Sequence, residues 1–381
     1  MKTITDARKD RVSDFSPAEA FPPGEYLRDE LDERGWSQVE FAQILGRPVR
    51  TINQILNGKR AITPETAKEL SAALGTSAEF WLNLETAYRL KLAEPASARI
   101  ARRAQLRERA PIREMLNRRW LEPSDNVDVL EAQVLRFFGT SSLEERSSLA
   151  HAAKRTRYDE PLGPAQEAWI TRVRQLAEAV PVAPYSPERL REAVTELREL
   201  LALPEHVGRV PAVLGAAGVR FLIVEQLPSL KVDGVCLWFD DLRPVIGMSL
   251  RFDRIDNFWF VLRHEIEHVL RRDGTVLDTE IESEDPDAPD SERIANDAAA
   301  DFCVPVEELA DFMIRAGPVY TDTQIRGFAA RIGVHPGLVA GQLRRRLARW
   351  DLFQRHLVKI REHLLPHAVV DGFGHMALVE A

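Results

Sequence analysis

The segment His264-Glu265-Ile266-Glu267-His268 carries residue types that can bind a metal ion and use it for hydrolysis. Its two histidines lie four residues apart, so on a helix both imidazoles leave the same face and can chelate one zinc ion. Glu265 would lie beside that ion without binding it, where its carboxylate can accept a proton from a zinc-activated water. The spacing therefore predicts a hydrolytic zinc site, against the alternative that the motif arose by chance on a buried helix.

A catalytic zinc site needs a third protein ligand, and the acidic residues downstream supply candidates. Eight of the fifteen residues in 278–292 are acidic, but most of them lie in a proline-containing stretch typical of a solvated loop. Glu292 is favoured because it begins a predicted helix over 292–302, and a helix fixes a ligand better than a loop does. Asn296 lies one turn further along and is expected to support the ligand through a hydrogen bond. The weaker alternatives on this helix are Asp297 and Asp301.

A second group of polar residues lies in 46–60, a stretch with four basic and no acidic residues. A short helix, a turn and a second short helix in such a stretch form the arrangement that enters the DNA major groove. Side chains at the start of the second helix reach base edges, and flanking basic residues meet phosphates. The predicted DNA-binding residues are Gln38, Arg47, Arg50, Thr51, Asn53, Gln54, Lys59 and Arg60. The alternative is an ordinary helical bundle with a polar surface.

Five short helices are predicted to position these residues, because apolar side chains recur at helical spacing between glycine turns. Ser37 and Glu40 form the pattern of a capping box at the start of the second helix. Pro64 takes the first position of the fourth helix, where its missing N–H costs nothing. The predicted helices span about 24–34, 38–45, 48–56, 64–74 and 78–90.

The helix and strand patterns of the whole sequence predict a multidomain protein that is mainly α, with a smaller α+β domain. Short β-branched runs at 219–224, 234–239 and 244–250 predict a small, mostly antiparallel sheet. Further helices are expected at about 256–271, 291–302, 323–332 and 337–358. The predicted domains are a flexible tail (1–22), a helix-turn-helix domain (23–92), a helical connector (93–206), a zinc domain (207–366) and a C-terminal tail (367–381).

Composition excludes several classes of protein. The net charge of −8 argues against indiscriminate coating of nucleic acid. No apolar run approaches the roughly 18 residues needed to cross a bilayer, so no membrane partner is expected. The chain has two cysteines, Cys236 and Cys303, which imply no disulfide framework and fit a reducing cytoplasm. We therefore expect a cytoplasmic protein.

Residues 23–90 resemble a known family of DNA-binding proteins. The resemblance is carried by GWSQVEFAQILGRPVRTINQILNGKRAITPETAKELSAALGTSAEFWLNLE, which is similar to the HigA branch of the Cro/C1-type (XRE) helix-turn-helix proteins. It implies a lambda-repressor-like five-helix bundle and a role in repressing a toxin–antitoxin operon. A single domain of this kind binds weakly, so a homodimer on two half-sites of a double-stranded operator is expected.

Residues from about 207 to 350 resemble the ImmA/IrrE metallopeptidase family. The matching pieces are FWFVLRHEIEHVL, ERIANDAAADFCVP and FAARIGVHPGLVAGQLRRR. The resemblance implies a zincin-like fold, with His264, His268 and Glu292 as zinc ligands and Glu265 as the general base. The family usually has glycine before the second histidine, whereas this chain has Glu267, which is expected to add a charge beside the site.

Two functions are consistent with these resemblances. Relatives of the second domain cleave or control repressor proteins, often under stress or DNA damage. The first hypothesis is thus a DNA-binding regulator with a zinc endopeptidase that cleaves a repressor, an antitoxin or itself. The alternative is an antitoxin-like repressor in which the metal-site domain is a non-proteolytic sensor or scaffold.

Overall fold

The protein consists of two compact units, Met1–Ser97 and Ala98–Ala381. The computed structural model describes residues 21–147, 153–155, 162–279 and 289–377, and the predicted N-terminal tail falls almost entirely outside these ranges. Each unit has its own hydrophobic core. In the described ranges, no helix combines the length and the apolar composition needed to cross a bilayer.

The first unit is a bundle of five helices within residues 21–97. They are α1 (Pro23–Arg34), α2 (Gln38–Ile44), α3 (Val49–Leu56), α4 (Pro64–Leu74) and α5 (Ala78–Leu92). The capping box is present: Ser37 Oγ accepts from the Glu40 amide, and Glu40 Oε2 accepts from the Ser37 amide. Every one of the five helices contributes to a common core, which includes Leu27, Phe41 and Trp81, so all five predicted helices are confirmed.

The second unit combines helices with a sheet. Its helices are α6 (Ala98–Arg109), α7 (Ile112–Asn117), α8 (Val127–Phe138), α9 (Pro164–Glu178), α10 (Pro187–Glu199), α11 (Val210–Ala216), α12 (Ile255–Arg271), α13 (Asp290–Cys303), α14 (Val306–Ala316), α15 (Asp322–Ile332), α16 (Pro336–Leu347) and α17 (Arg361–Leu364). Its strands are β1 (Ala153–Arg155), β2 (Arg220–Val224), β3 (Val232–Trp238), β4 (Pro244–Met248), β5 (Thr275–Thr279) and β6 (Val369–Asp371). The helix predicted to reach residue 358 ends instead at Leu347, because Ala348 adopts a left-handed conformation.

The described strands form a six-stranded mixed sheet in the order β1–β5–β3–β4–β2–β6. Strand β3 runs antiparallel to β4 and β5, whereas the β1–β5, β2–β4 and β2–β6 pairs are parallel. The prediction of a mostly antiparallel sheet is therefore wrong. Parallel strands are usually covered on both faces and read as continuous apolar runs, as Phe221-Leu222-Ile223-Val224 of β2 does.

Both faces of the sheet are covered by helices. Leu222 and Val224 of β2 belong to a core shared with α6, α7, α8 and α9. Phe221 and Ile223, which alternate with them, belong to a second core shared with the helices from α10 onward. The sheet is thus the middle layer of the second unit.

The segments predicted as a connector or intermediate region and as a C-terminal tail both contribute to this sheet unit. From Ala98 onward, the residues predicted as a connector supply α6–α10 and β1, and Trp169 Nε1 of α9 donates to the Val224 carbonyl of β2. The segment predicted as a C-terminal tail supplies β6, whose Val370 and Asp371 are buried against β2. The tail prediction is wrong at β6, because a three-residue strand carries too little periodicity to be recognised.

Candidate metal centre and nucleic-acid interface

Helix α12 presents His264 and His268 on one face, as their four-residue spacing requires. The helix forms because apolar residues such as Trp259 and Ile266 bury its sides in the core of the second unit. The two Nε2 atoms lie 3.0 Å apart, and both side chains are fully buried. His268 Nδ1 lies 2.9 Å from Asp273 Oδ2, which fixes the orientation of the ring and directs Nε2 toward His264.

Helix α13 packs along α12 and brings Glu292 to the two histidines. Glu292 Oε2 lies 3.3 Å from His264 Nε2, and Glu292 Oε1 lies 3.4 Å from His268 Nε2. Asn296, one turn further along, is half-buried, and its Oδ1 has no hydrogen-bond partner among the described residues. The alternatives Asp297 and Asp301 are exposed and lie outside this group.

Strand β5 adds a fourth donor, Asp278, which sequence reasoning missed. Its Oδ2 lies 3.3 Å from His264 Nε2 and 3.8 Å from His268 Nε2, and the side chain is fully buried. By composition, Asp278 belongs to the acidic stretch 278–292, which is typical of a solvated loop. The available signal was its position directly after the apolar pair Val276-Leu277, which is typical of a strand rather than a solvated loop.

The four donors form a compact cluster that could hold a metal ion. The contributing atoms of His264, His268, Asp278 and Glu292 all lie within 4.8 Å of one another. Two imidazole nitrogens and two carboxylate oxygens are a ligand set that divalent transition metals accept.

Glu265 packs beneath β3, beside the cluster. The fit depends on Gly234, because a Cβ at that position would lie 2.1 Å from Glu265 Oε1. Neither carboxylate oxygen of Glu265 accepts a hydrogen bond from an N–H or O–H of the described residues. The side chain is fully buried and adjoins Asp278.

Glu267 does not add its charge to the centre. Its Oε2 lies 2.8 Å from Arg263 Nη2, one helical turn earlier on α12. Glu267 is not part of the donor cluster. The expectation of an extra charge beside the site is therefore wrong, because an ion pair within the helix neutralises that charge.

The buried carboxylates favour positive charge at this centre. Burial by itself would lower the pKa of His264, but Asp278 and Glu292 outweigh it and raise the pKa to about 9. Burial likewise opposes the rise in the pKa of His268, which is driven by its hydrogen bond with Glu292 and by Asp278. Burial, followed by the charge of Asp278, raises the pKa of Glu265 well above its usual range. A bound divalent cation would offset the charge of the buried carboxylates in the same way, without protonation of the histidines.

The helix-turn-helix of the first unit consists of α2 and α3, joined by a turn in which Gly46 has φ 61°. Asn53 Nδ2 donates to Gln38 Oε1 at 3.3 Å, so the start of α2 lies against the outer face of α3. Of the predicted DNA-binding residues, the exposed ones are Gln38, Arg50, Asn53, Lys59 and Arg60, and the half-buried ones are Thr51 and Gln54. Five of the eight are thus exposed, and Gln38 and Asn53 lie together on the surface.

Arg47 is held by an acidic partner instead of projecting freely. Its Nη2 and Nε lie 2.7 and 3.0 Å from the two carboxylate oxygens of Glu69 on α4. This hydrogen-bonded pair raises the pKa of Arg47. The role observed for Arg47 is to tie the turn before α3 to α4, a contact between residues too distant in sequence to be predicted.

Comparisons with known proteins match the first unit. A family model described as helix-turn-helix (HTH_3) matches residues 27–81. "Uncharacterized HTH-type transcriptional regulator YddM" of Escherichia coli (strain K12) is 42% identical over 72 residues, covering 19% of this chain and 77% of the relative. "Virulence-associated protein I" of Dichelobacter nodosus is 43% identical over 76 residues, covering 20% of this chain and 70% of the relative.

Among solved structures, an addiction module antidote protein of the HigA family from Coxiella burnetii is 42% identical. The match covers 20% of this chain and 83% of that chain, with a TM-score of 0.19. Because the E. coli relative is matched over more than two thirds of its length, the family of the first unit is established. The chain belongs, through residues 27–81, to the HTH_3 family of helix-turn-helix proteins.

Proposed function

We propose that the protein is a DNA-binding transcriptional regulator whose second unit is a zinc-dependent endopeptidase acting on a regulatory protein. The substrate would be a repressor, an antitoxin or the chain itself. The observation that carries the proposal is the presence, in one chain, of a helix-turn-helix family match and a buried His264–His268–Glu292 group with Glu265 beside it.

The DNA-binding half is supported by relatives and by the surface of α3. The E. coli relative is named as a transcriptional regulator, and the matched region includes both helices of the motif. Arg50 of α3 and the following Lys59 and Arg60 are exposed, with no acidic residue between positions 46 and 60. A homodimer binding two half-sites of double-stranded operator DNA would give such a domain adequate affinity.

The metal half is supported by the fit between the donor set and zinc. Zinc accepts imidazole nitrogen and carboxylate oxygen at about 2.0–2.2 Å in tetrahedral sites. Without a metal ion, the carboxyl groups of Glu265 and Glu292 would be buried beside the His264 imidazole with no cation to offset their charge. A zincin-like role for the second unit is consistent with this donor set.

The chain's own residues suit peptide hydrolysis. A bound zinc would polarise a peptide carbonyl and lower the pKa of water toward neutrality. His264, His268 and Glu292 would hold the ion on two packed helices, and Asp273 would keep the His268 ring in position through Nδ1. Glu265, whose oxygens accept no hydrogen bond from the part of the chain that the structure describes, would receive a proton at its carboxylate and return it to the leaving amine.

Substitution of Glu265 by glutamine tests the peptidase. Loss of a general base costs about 10²–10⁴-fold in rate, so new protein N-termini that appear in cells with the wild-type chain should disappear with Glu265→Gln. The measurement is labelling of protein N-termini together with mapping of bound DNA in vivo. Glu267→Gln is the matched control on the same helix, because Glu267 pairs with Arg263 outside the cluster.

DNA occupancy and zinc content should be the same in all three proteins. Identical N-termini in the wild-type and Glu265→Gln proteins would contradict peptidase activity. Metal content tests the ligands separately: the purified wild-type chain should hold one zinc ion, and Glu292→Ala should lose it.

A second candidate is an antitoxin-like repressor whose metal unit senses or scaffolds without cleaving. The observation that favours it is the burial of the centre, in which His264, Glu265 and His268 are fully enclosed. It predicts stoichiometric zinc and DNA binding with no new N-termini in any of the three proteins.

A further inference from the structure

The metal donors include one residue that a peptidase centre does not need. Three protein ligands and one open position are usual in catalytic zinc sites, whereas structural sites are closed by four protein ligands. His264, His268 and Glu292 already make three. Asp278 is a fourth carboxylate donor at the same point.

The separations between donor atoms fit a four-coordinate site. Bonds of about 2.0–2.1 Å at tetrahedral angles place neighbouring donors roughly 3.3–3.4 Å apart. The two histidine nitrogens are 3.0 Å apart, and Glu292 approaches them through its two oxygens, Oε2 at 3.3 Å from His264 Nε2 and Oε1 at 3.4 Å from His268 Nε2. The Asp278 Oδ2 oxygen lies 3.3 and 3.8 Å from the same two histidine nitrogens, and all four donor atoms lie within 4.8 Å of one another, so Asp278 is in reach of the same ion.

Asp278 also occupies the space that hydrolysis requires. A hydrolytic water must lie between the metal and the general base, within hydrogen-bonding reach of Glu265. Asp278 Oδ2 lies 3.3 Å from His264 Nε2, and the Asp278 carboxyl group is near enough to Glu265 to add to the effect of burial in raising the pKa of its carboxyl group. Both acidic side chains are fully buried, so neither is in contact with bulk solvent.

The backbone holds Asp278 in this position. Strand β5 lies between β1 and β3 in the sheet, and Asp278 is paired in register with Gly234 of β3. On the other edge of β5, β1 pairs with Thr275, Val276 and Leu277, so the backbone immediately before Asp278 is held between two strands. The fold therefore holds the Asp278 carboxylate at the centre.

We propose that Asp278 is a fourth protein ligand that closes the metal centre, so that the resting chain holds its metal with no open position and cleaves only when Asp278 is withdrawn. The proposal rests on the metal centre of the proposed function and adds its regulation. It reconciles a complete peptidase ligand set with a fully enclosed site. Displacement of β5 would then control cleavage.

Cobalt(II) provides a test that does not depend on cleavage. The full-length wild-type, Asp278→Ala and Asp278→Asn proteins are loaded with Co²⁺, and their visible spectra are recorded with and without acetohydroxamate. The wild-type spectrum should not respond, because no coordination position is open. The Asp278→Ala spectrum should change on addition of acetohydroxamate, and its Co²⁺ affinity should fall by at least about tenfold.

Asp297→Asn is the matched control, because Asp297 is an exposed aspartate of α13 outside the cluster. It should behave as the wild type. A wild-type spectrum that responds to acetohydroxamate would overturn the closure, and this result needs no variant to fold. An unchanged affinity and spectrum in folded Asp278→Ala and Asp278→Asn would overturn the ligand assignment. Wild-type protein that binds no stoichiometric Co²⁺ or Zn²⁺ would instead overturn the metal half of the proposed function.

Discussion

Gly234 is the residue on which the position of Glu265 depends. A methyl group there would lie 2.1 Å from Glu265 Oε1 and 2.9 Å from its Cδ. Because the carboxylate is enclosed, Gly234→Ala should displace Glu265 and lower the free energy of unfolding by about 1–3 kcal/mol. Zinc content should stay at one per chain, since Gly234 supplies no ligand. Chemical denaturation and metal analysis of the purified variant would check both outcomes.

Gly327→Ala is the matched control for that substitution. Gly327 lies within α15, and a methyl group there would meet nothing within 4 Å. Alanine should leave stability unchanged or raise it by up to about 1 kcal/mol, because it restricts the unfolded chain. If the two alanine variants were equally stable, the close approach of Gly234 to Glu265 would not matter to folding.

Sequence reasoning at the residue scale succeeds where spacing along one helix determines geometry. His264 and His268 share a face of α12 because four residues make just over one turn, and Ser37 caps α2 by a local rule. Asp278 and the partner of Arg47 follow from tertiary packing. No local pattern shows that Asp278 of β5 lies beside His264 of α12, or that Glu69 lies beside the turn before α3.

Helix α3 should carry the DNA contacts of the first unit. Arg50 is exposed near its start, where side chains of a recognition helix reach the bases. Arg50→Ala should weaken operator binding, by about 1–3 kcal/mol if it contacts a guanine. If it contacts a phosphate instead, the slope of log K against log salt should fall by about 1. Titration of labelled operator at several salt concentrations distinguishes these contacts.

Lys68→Ala is the control for the loss of one positive charge. Lys68 is exposed on α4, outside the α2–α3 pair. It should leave both affinity and salt slope close to those of the wild type. Equal losses in the two variants would indicate a general charge effect and would argue against α3 as the reading helix.

A helix could be predicted from the sequence where its own residues show helical hydrophobic periodicity and recognisable capping residues at its ends. The five helices of the first unit are bounded by caps, prolines and glycines, and α12 by a long apolar periodicity. The pairing of strands was not predictable in the same way. Strand β6 joins β2 from the far end of the chain, and β1 reaches β5 from the segment predicted as a connector. Pairing depends on which elements cover each face of the sheet, and single segments do not encode this.

At the scale of the whole molecule, the helix-turn-helix and the candidate metal centre lie in separate units. The core of the first unit is formed by residues between Leu27 and Trp81, and every metal donor lies in Ala98–Ala381. The charge follows the same division: the basic stretch 46–60 belongs to the first unit within a chain of net charge −8. DNA affinity therefore depends on a local surface, and the overall charge does not predict it.

Metal removal should destabilise the second unit and leave the first unchanged. A ligand that binds only the folded state stabilises it by RT ln(1 + [L]/Kd), about 4 kcal/mol at a thousandfold excess over Kd. The donors lie on α12, α13 and β5, so chelation should speed hydrogen exchange in 255–303 and leave 23–92 unaffected. Hydrogen exchange of the full chain, with and without a chelator, resolves the two units by peptide. Acceleration in both ranges would show that the metal stabilises the first unit as well, and no acceleration in either would show that the cluster does not depend on a metal for its stability.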